Sequence, residues 1–206
     1  MYHRVLARTV TVAGVAVALT LAGGATALAG VHHSAAVPTG VTATPSVLVV
    51  DGVRHPASQA AHYQALGYHF LVTRASLAAG QTLAFRQETD MRAQLATAMK
   101  AASTLVRPMA VNEYVTIFQD SNGGGNAHRF DGPTIVNLTD YMMWWPTSWN
   151  DQVSSLATGS YGSVTCYQNT NQNHQRAGWS VTYGPGLNIG YVGNGYNDAF
   201  SSIWVQ

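Results

Sequence analysis

The hexapeptides Asn150-Asp151-Gln152-Val153-Ser154-Ser155 and Asn197-Asp198-Ala199-Phe200-Ser201-Ser202 constrain this chain more than any other feature. Both read Asn-Asp-x-x-Ser-Ser. Each follows an aromatic residue (Trp149, Tyr196) and precedes an apolar one (Leu156, Ile203), and the copies lie 47 residues apart. Matched segments with matched flanks mark a duplicated unit. The surroundings repeat as well: Tyr114–Phe118 and Val164–Tyr167 both read as strands ending in an aromatic, while residues 153–156 and 200–205 read as strands opened by Ser-Ser. A unit of roughly four strands leaves its apolar face wet, so two copies packed together are the stable form. Each hexapeptide also supplies carboxylate, amide and hydroxyl oxygens, the donors a hard cation takes.

The 206-residue chain has room for more than this repeat. Residues 1–29 read as a signal peptide, with Arg4 and Arg8 ahead of an apolar core and Ala27-Leu28-Ala29 as an A-x-A cleavage site. That apolar core is too short for a membrane span, so the expectation is a secreted protein, not an integral membrane one. Residues 30–45, rich in Ala, Pro, Thr and Ser, read as a flexible linker.

Residues 46–108 carry a small α/β pattern, of β-α-β-β-α order, that suits a pro-region or a separate interaction module. The strand Val47–Val50 ends at Asp51-Gly52, and a helix over 56–66 stops at Gly67. Residues 68–73 and 82–85 form strands around a turn at Gly80. Thr89 then caps a helix with Met91, Leu95, Ala98, Met99 and Ala102 on one face, and Pro108 closes the unit. His55, His62 and His69 recur every seven residues, but the glycine and strand between them break any common face for a metal.

The C-terminal 95 residues, 112–206, resemble a βγ-crystallin domain built from two Greek-key motifs. The family's calcium signature is Asn/Asp-Asn/Asp-x-x-Ser/Thr-Ser, and both hexapeptides satisfy it. The family also places a glycine seven residues after an aromatic in a folded first hairpin. Phe118 and Gly125 keep that spacing, with Gly123 where an aromatic is usual. The second copy departs from it, since Tyr167 is followed by Gln172 and His174, and the nearest glycine is Gly178. The resemblance implies an all-β sandwich and two Ca2+ sites clasping the paired motifs. By that resemblance Asp151 and Asp198 supply side-chain oxygens, Ser154 and Ser201 hydroxyls, and Gln152 and Ala199 carbonyls. Asn150 and Asn197 shape the loops, and Asp120 or Gln168 adds a further oxygen.

The formal net charge of +1 provides no basic field for nucleic acid. The balance is uneven, with a net of +3 over residues 30–111 and −4 over 112–206. Cys166, the lone cysteine, leaves no internal disulfide and reads as a buried apolar side chain. Without zinc-helix, nucleophile-elbow or phosphate-loop motifs, catalysis is not expected.

The expected function is therefore a secreted calcium-binding protein with a structural or stress-protective role. The alternatives are an inhibitor of an extracellular protease on the same fold, and a binder of cell-wall polysaccharide. The run Tyr141-Met142-Met143-Trp144-Trp145-Pro146 bears on the last. It reads first as core or contact surface, and if exposed as a grip for a partner protein or a sugar face.

Overall fold

The computed structural model describes residues 45–103 and 113–206. The signal peptide, almost all of the linker and the closing Pro108 lie outside the described residues. The N-terminal region begins with a hairpin, β1 (Val47–Val50) and β2 (Val53–Pro56), turning at Asp51 and Gly52, both in left-handed backbone (φ 50° and 80°). A 3-10 turn leads into α1 (Ala60–Ala65), and Gly67 at φ 75° ends it as expected. Then come β3 (His69–Val72), α2 (Arg74–Ala78), β4 (Gln81–Phe85) and α3 (Glu88–Ser103).

The expected β-α-β-β-α order holds with two additions, β2 and α2. The second is a single short helix held by a reciprocal cap: Thr73 Oγ1 accepts from Ser76 N (3.1 Å), and Ser76 Oγ accepts from Thr73 N (2.9 Å). The last helix starts at Glu88, so Thr89 lies inside its first turn and not at its cap. Met91 and Leu95 turn inward against Leu71, with Leu83, Phe85 and Met99 around them.

The C-terminal region contains β5 (Tyr114–Phe118), β6 (Ala127–Asp131), β7 (Thr134–Asn137), β8 (Met142–Trp144), β9 (Thr147–Ser148) and β10 (Ser155–Thr158). The second half follows with β11 (Val164–Tyr167), β12 (Ser180–Tyr183), β13 (Asn188–Ile189) and β14 (Ser202–Val205). One half thus comprises β5, β6, β7 and β10, and the other β11, β12, β13 and β14. Each half lends its third strand to the other's sheet. The strand orders are β13-β10-β5-β6 and β7-β14-β11-β12, the same pattern twice. The inner faces meet in one core, where Val115, Ile117 and Leu156 of one sheet join Val164, Cys166, Ile203 and Val205 of the other. This is the two-motif Greek-key sandwich that the resemblance implies.

The N-terminal region does not stand apart from this sandwich. β3 pairs in parallel with β12, His69 opposite Ser180 and Val72 opposite Tyr183. The second half's sheet thereby grows to eight strands, β2-β1-β4-β3-β12-β11-β14-β7. Leu48, Val50, Phe70 and Val72 enter the sandwich core itself. Across the seam, His69 Nδ1 lies 2.8 Å from Ser180 Oγ, and the Arg92 guanidinium stacks 4.4 Å above the Trp204 ring. β12 would be an edge strand of the Greek-key pair alone, and β3 covers that edge. No helix of the described residues is long and apolar enough to cross a membrane.

Candidate functional site: the paired signature loops

Each signature loop is anchored by the apolar residues inside and before it. Trp149 and Val153 in the first copy, and Tyr196 and Phe200 in the second, are all buried. With those side chains fixed, the polar residues between them form a tight loop. Asp151 and Asp198 both take left-handed backbone, φ 52° and 51°, which Asp tolerates better than most residues.

The two loops are locked to one another by matched bonds. Asp151 N donates to Phe200 O (3.0 Å), and Asp198 N donates to Val153 O (3.3 Å). Each is also tied to its own hairpin, Ser154 N to Phe118 O (3.0 Å) and Ser201 N to Tyr167 O (2.9 Å). The loops thus cross-bond as a pair.

The side chains repeat too. Asn150 Nδ2 donates to Asp151 Oδ2 at 2.7 Å, and Asn197 Nδ2 donates to Asp198 Oδ2 at 2.6 Å. A carboxylate only accepts, so this contact fixes which way each amide faces. The consequence is that Asn150 Oδ1 and Asn197 Oδ1 are buried with no hydrogen-bond partner. Burying such a group unpaired carries a penalty of about 1–3 kcal/mol. Gln152 Nε2 folds back onto Asp151 O at 2.8 Å.

Asp151 is half-buried and Asp198 exposed. Burial raises the Asp151 pKa above the usual carboxylate value; the Asn150 amide opposes this and the Asp198 charge adds to it. The local field therefore lacks positive charge. The donor set of one carboxylate per loop, a hydroxyl, amide oxygen and backbone carbonyls fits a hard cation of flexible coordination. Among the described residues no group of three His, Cys, Asp or Glu side chains is placed to hold a metal.

The second serine of each signature has a separate task. Ser155 Oγ accepts from Gly123 N (3.0 Å) and donates to Asp120 O (2.6 Å). Ser202 Oγ accepts from Gln172 N (3.1 Å) and donates to Asn169 O (2.7 Å). Both first hairpins are thus pinned in the same fold by the same hydroxyl. Gln172 sits where Gly123 sits in the first copy, at φ 54° against 73°. The departure of the second copy from the glycine spacing changes the hairpin's far end and leaves its pinned base alone. Asp120 and Gln168 turn onto their own hairpins. A Cβ on Gly125 would meet Asp120 Oδ2 at 2.7 Å, and one on Gly178 would meet Gln168 Oε1 at 3.1 Å.

The aromatic run divides between its two readings. β8 and β9 form a separate two-stranded hairpin, and Met143, with Tyr141 just before it, packs against the sandwich core. Met142, Trp144 and Trp145 point outward and are 51%, 46% and 84% exposed. A strand of three residues presents alternate side chains to opposite faces, so only half of an apolar run on it can be buried. Cys166 is buried as expected, and burial pushes its thiol pKa well up, which leaves it unreactive.

Interleaved Greek keys with paired Asn-Asp-x-x-Ser-Ser loops define a two-motif β-sandwich, and solved structures similar to this chain include bacterial βγ-crystallin domains. A double mutant of the domain from Clostridium beijerinckii is 28% identical, covering 45% of this chain and 94% of that one, with a TM-score of 0.35. A double mutant of clostrillin in complex with nickel is 26% identical over 45% of this chain and 95% of its own, TM-score 0.35. The domain from Flavobacterium johnsoniae is 22% identical over 45% and 92%, TM-score 0.35. Comparisons with protein-family models and with curated proteins find no match.

Proposed function

We propose that residues 112–206 form a calcium-binding domain of βγ-crystallin type, with a structural or stress-protective role in a secreted protein. The observation that carries this reading is the pair of loops: cross-bonded through Asp151 N and Asp198 N, each with its carboxylate held by an asparagine amide whose own oxygen is left unpaired. Asp151, Ser154, Asp198 and Ser201 would hold two ions with the carbonyls of Gln152 and Ala199, while Asn150 and Asn197 aim the carboxylates. Bound calcium supplies the positive charge that the loops lack.

With about one carboxylate per ion, affinity falls in the roughly micromolar to millimolar range, which extracellular calcium fills. At a hundredfold excess over the dissociation constant, binding stabilises the fold by about 2.7 kcal/mol. For a chain of this size that is a rise in melting temperature of roughly 5–11 °C. Thermal melting with calcium, and with magnesium as the ion that dehydrates reluctantly, tests the reading. The same melting curve at millimolar calcium as without it overturns it.

A second reading rests on the exposed Met142, Trp144 and Trp145. That hairpin is a docking surface for an extracellular partner, either a cell-wall polysaccharide or a protease. A pull-down on insoluble polysaccharide tests the first. Incubation with thermolysin-like enzymes at stoichiometric excess tests the second, and unchanged protease activity counts against inhibition.

A further inference from the structure

The internal repeat relates the two signature loops, yet their supports differ. Trp149, ahead of the first, donates its N–H to Tyr141 O (2.8 Å) and packs on His128 (6.3 Å between ring centres), both from its own half. Tyr196, ahead of the second, lies edge-on to both Trp179, just before β12 (5.3 Å), and Phe70 of β3 (5.5 Å). Gln64 of α1, itself buried, donates from Nε2 to Gly195 O at 2.9 Å. A Cβ on Gly195 would fall 2.9 Å from Gln64 Oε1, so the glutamine amide sits directly against this turn. Tyr196 N and Asn197 N both donate to Gly193 O at 2.9 Å, which closes the turn that runs into Asp198.

Gln64 and Phe70 both belong to the N-terminal α/β region, which has no counterpart inside the repeat. We propose that this region is a built-in clamp on the second signature loop, with Gln64 as its positioning residue, and that the clamp raises the calcium affinity of the paired loops. A loop held in shape before the ion arrives loses less conformational entropy on binding, so the ions this loop helps to hold bind more tightly than their donors alone would dictate. The clamp itself stands on protein contacts, and only its effect on affinity rests on the calcium reading above.

The test uses the full chain in two variants. Gln64→Glu keeps the shape and removes the donor, while Gln64→Ala removes the side chain. In the metal-free protein, the amides of Tyr196 and Asn197 should exchange with solvent about fivefold faster in both variants, with the Trp149 amide unchanged. In a calcium titration followed at the Asp151 and Asp198 amides, affinity should fall about fivefold in both variants. Unchanged exchange at Tyr196 and Asn197, or an equal rise at both loops, overturns the clamp. Faster exchange with unchanged calcium affinity overturns the effect on binding. If the unsubstituted protein takes up no calcium, the calcium reading falls, and the exchange result still decides the clamp.

Discussion

Replacing Ser155 by alanine removes one hydroxyl and two hydrogen bonds from the metal-free protein. The Gly123 N–H and the Asp120 carbonyl both lose their partner at a site where the serine is buried. Leaving a buried donor or acceptor unsatisfied costs about 1–3 kcal/mol each, and a hydroxyl-to-hydrogen change opens little cavity. The expected loss is about 2–4 kcal/mol, or roughly 4–16 °C in melting temperature. Ser202→Ala should cost a similar amount, because Gln172 N and Asn169 O are pinned in the same way. Ser154→Ala, one residue earlier and only half-buried, should leave metal-free stability within about 0.5 kcal/mol and weaken calcium binding. Urea unfolding of the metal-free variants, followed by tryptophan fluorescence, reads the midpoint and slope separately. A loss under about 0.5 kcal/mol in both Ser155→Ala and Ser202→Ala refutes the division of labour between the paired serines.

The raised pKa of Asp151 means that the folded, metal-free protein holds this proton more tightly than the unfolded chain does. Its contribution is therefore largest in acid and is lost as pH rises above the ordinary carboxylate value of 3.8. Asp151→Asn, whose new residue also tolerates left-handed backbone, should melt higher than wild type at neutral pH without metal and gain less from calcium. His69 has the opposite linkage, since burial lowers its pKa below 6.5, with Glu88 opposing and Arg92 adding to the shift. Stability should fall as pH drops through about 6.5, and His69→Gln should flatten that fall in a melting series across pH. Trp145→Ala should change stability by no more than about 0.5 kcal/mol. A loss of several kcal/mol would mean that the hairpin is core after all.

What the sequence disclosed and what it withheld divide by range. The signature copies, their buried flanking aromatics and most strands of the sandwich are local patterns, legible because Trp149, Tyr196, Val153 and Phe200 recur in step. Gly67 and the α1 boundary were equally local. The parallel pairing of β3 with β12 joins residues 111 positions apart (His69 and Ser180), and no periodicity within either strand announces it. For the same reason Gln64 carried no signal, since its partner is a backbone carbonyl that any residue would offer. α2 was missed because it is five residues long and its cap is completed by a serine where glutamate is usual. The tasks of Ser155 and Ser202 were within reach, because both serines of each pair recur identically and only one of each was assigned a role. Whether Trp144 and Trp145 are core or surface stays open in the sequence, because hydrophobicity alone does not tell a short two-faced hairpin from a buried run.

Calorimetric titration of calcium into the metal-free full chain, beside an Asp151→Asn/Asp198→Asn double variant, tests the central claim most directly. Two ions bound per wild-type chain, with binding abolished or strongly weakened in the double variant, is the predicted result. No heat from the wild type at millimolar calcium, or equal binding by the double variant, would contradict it.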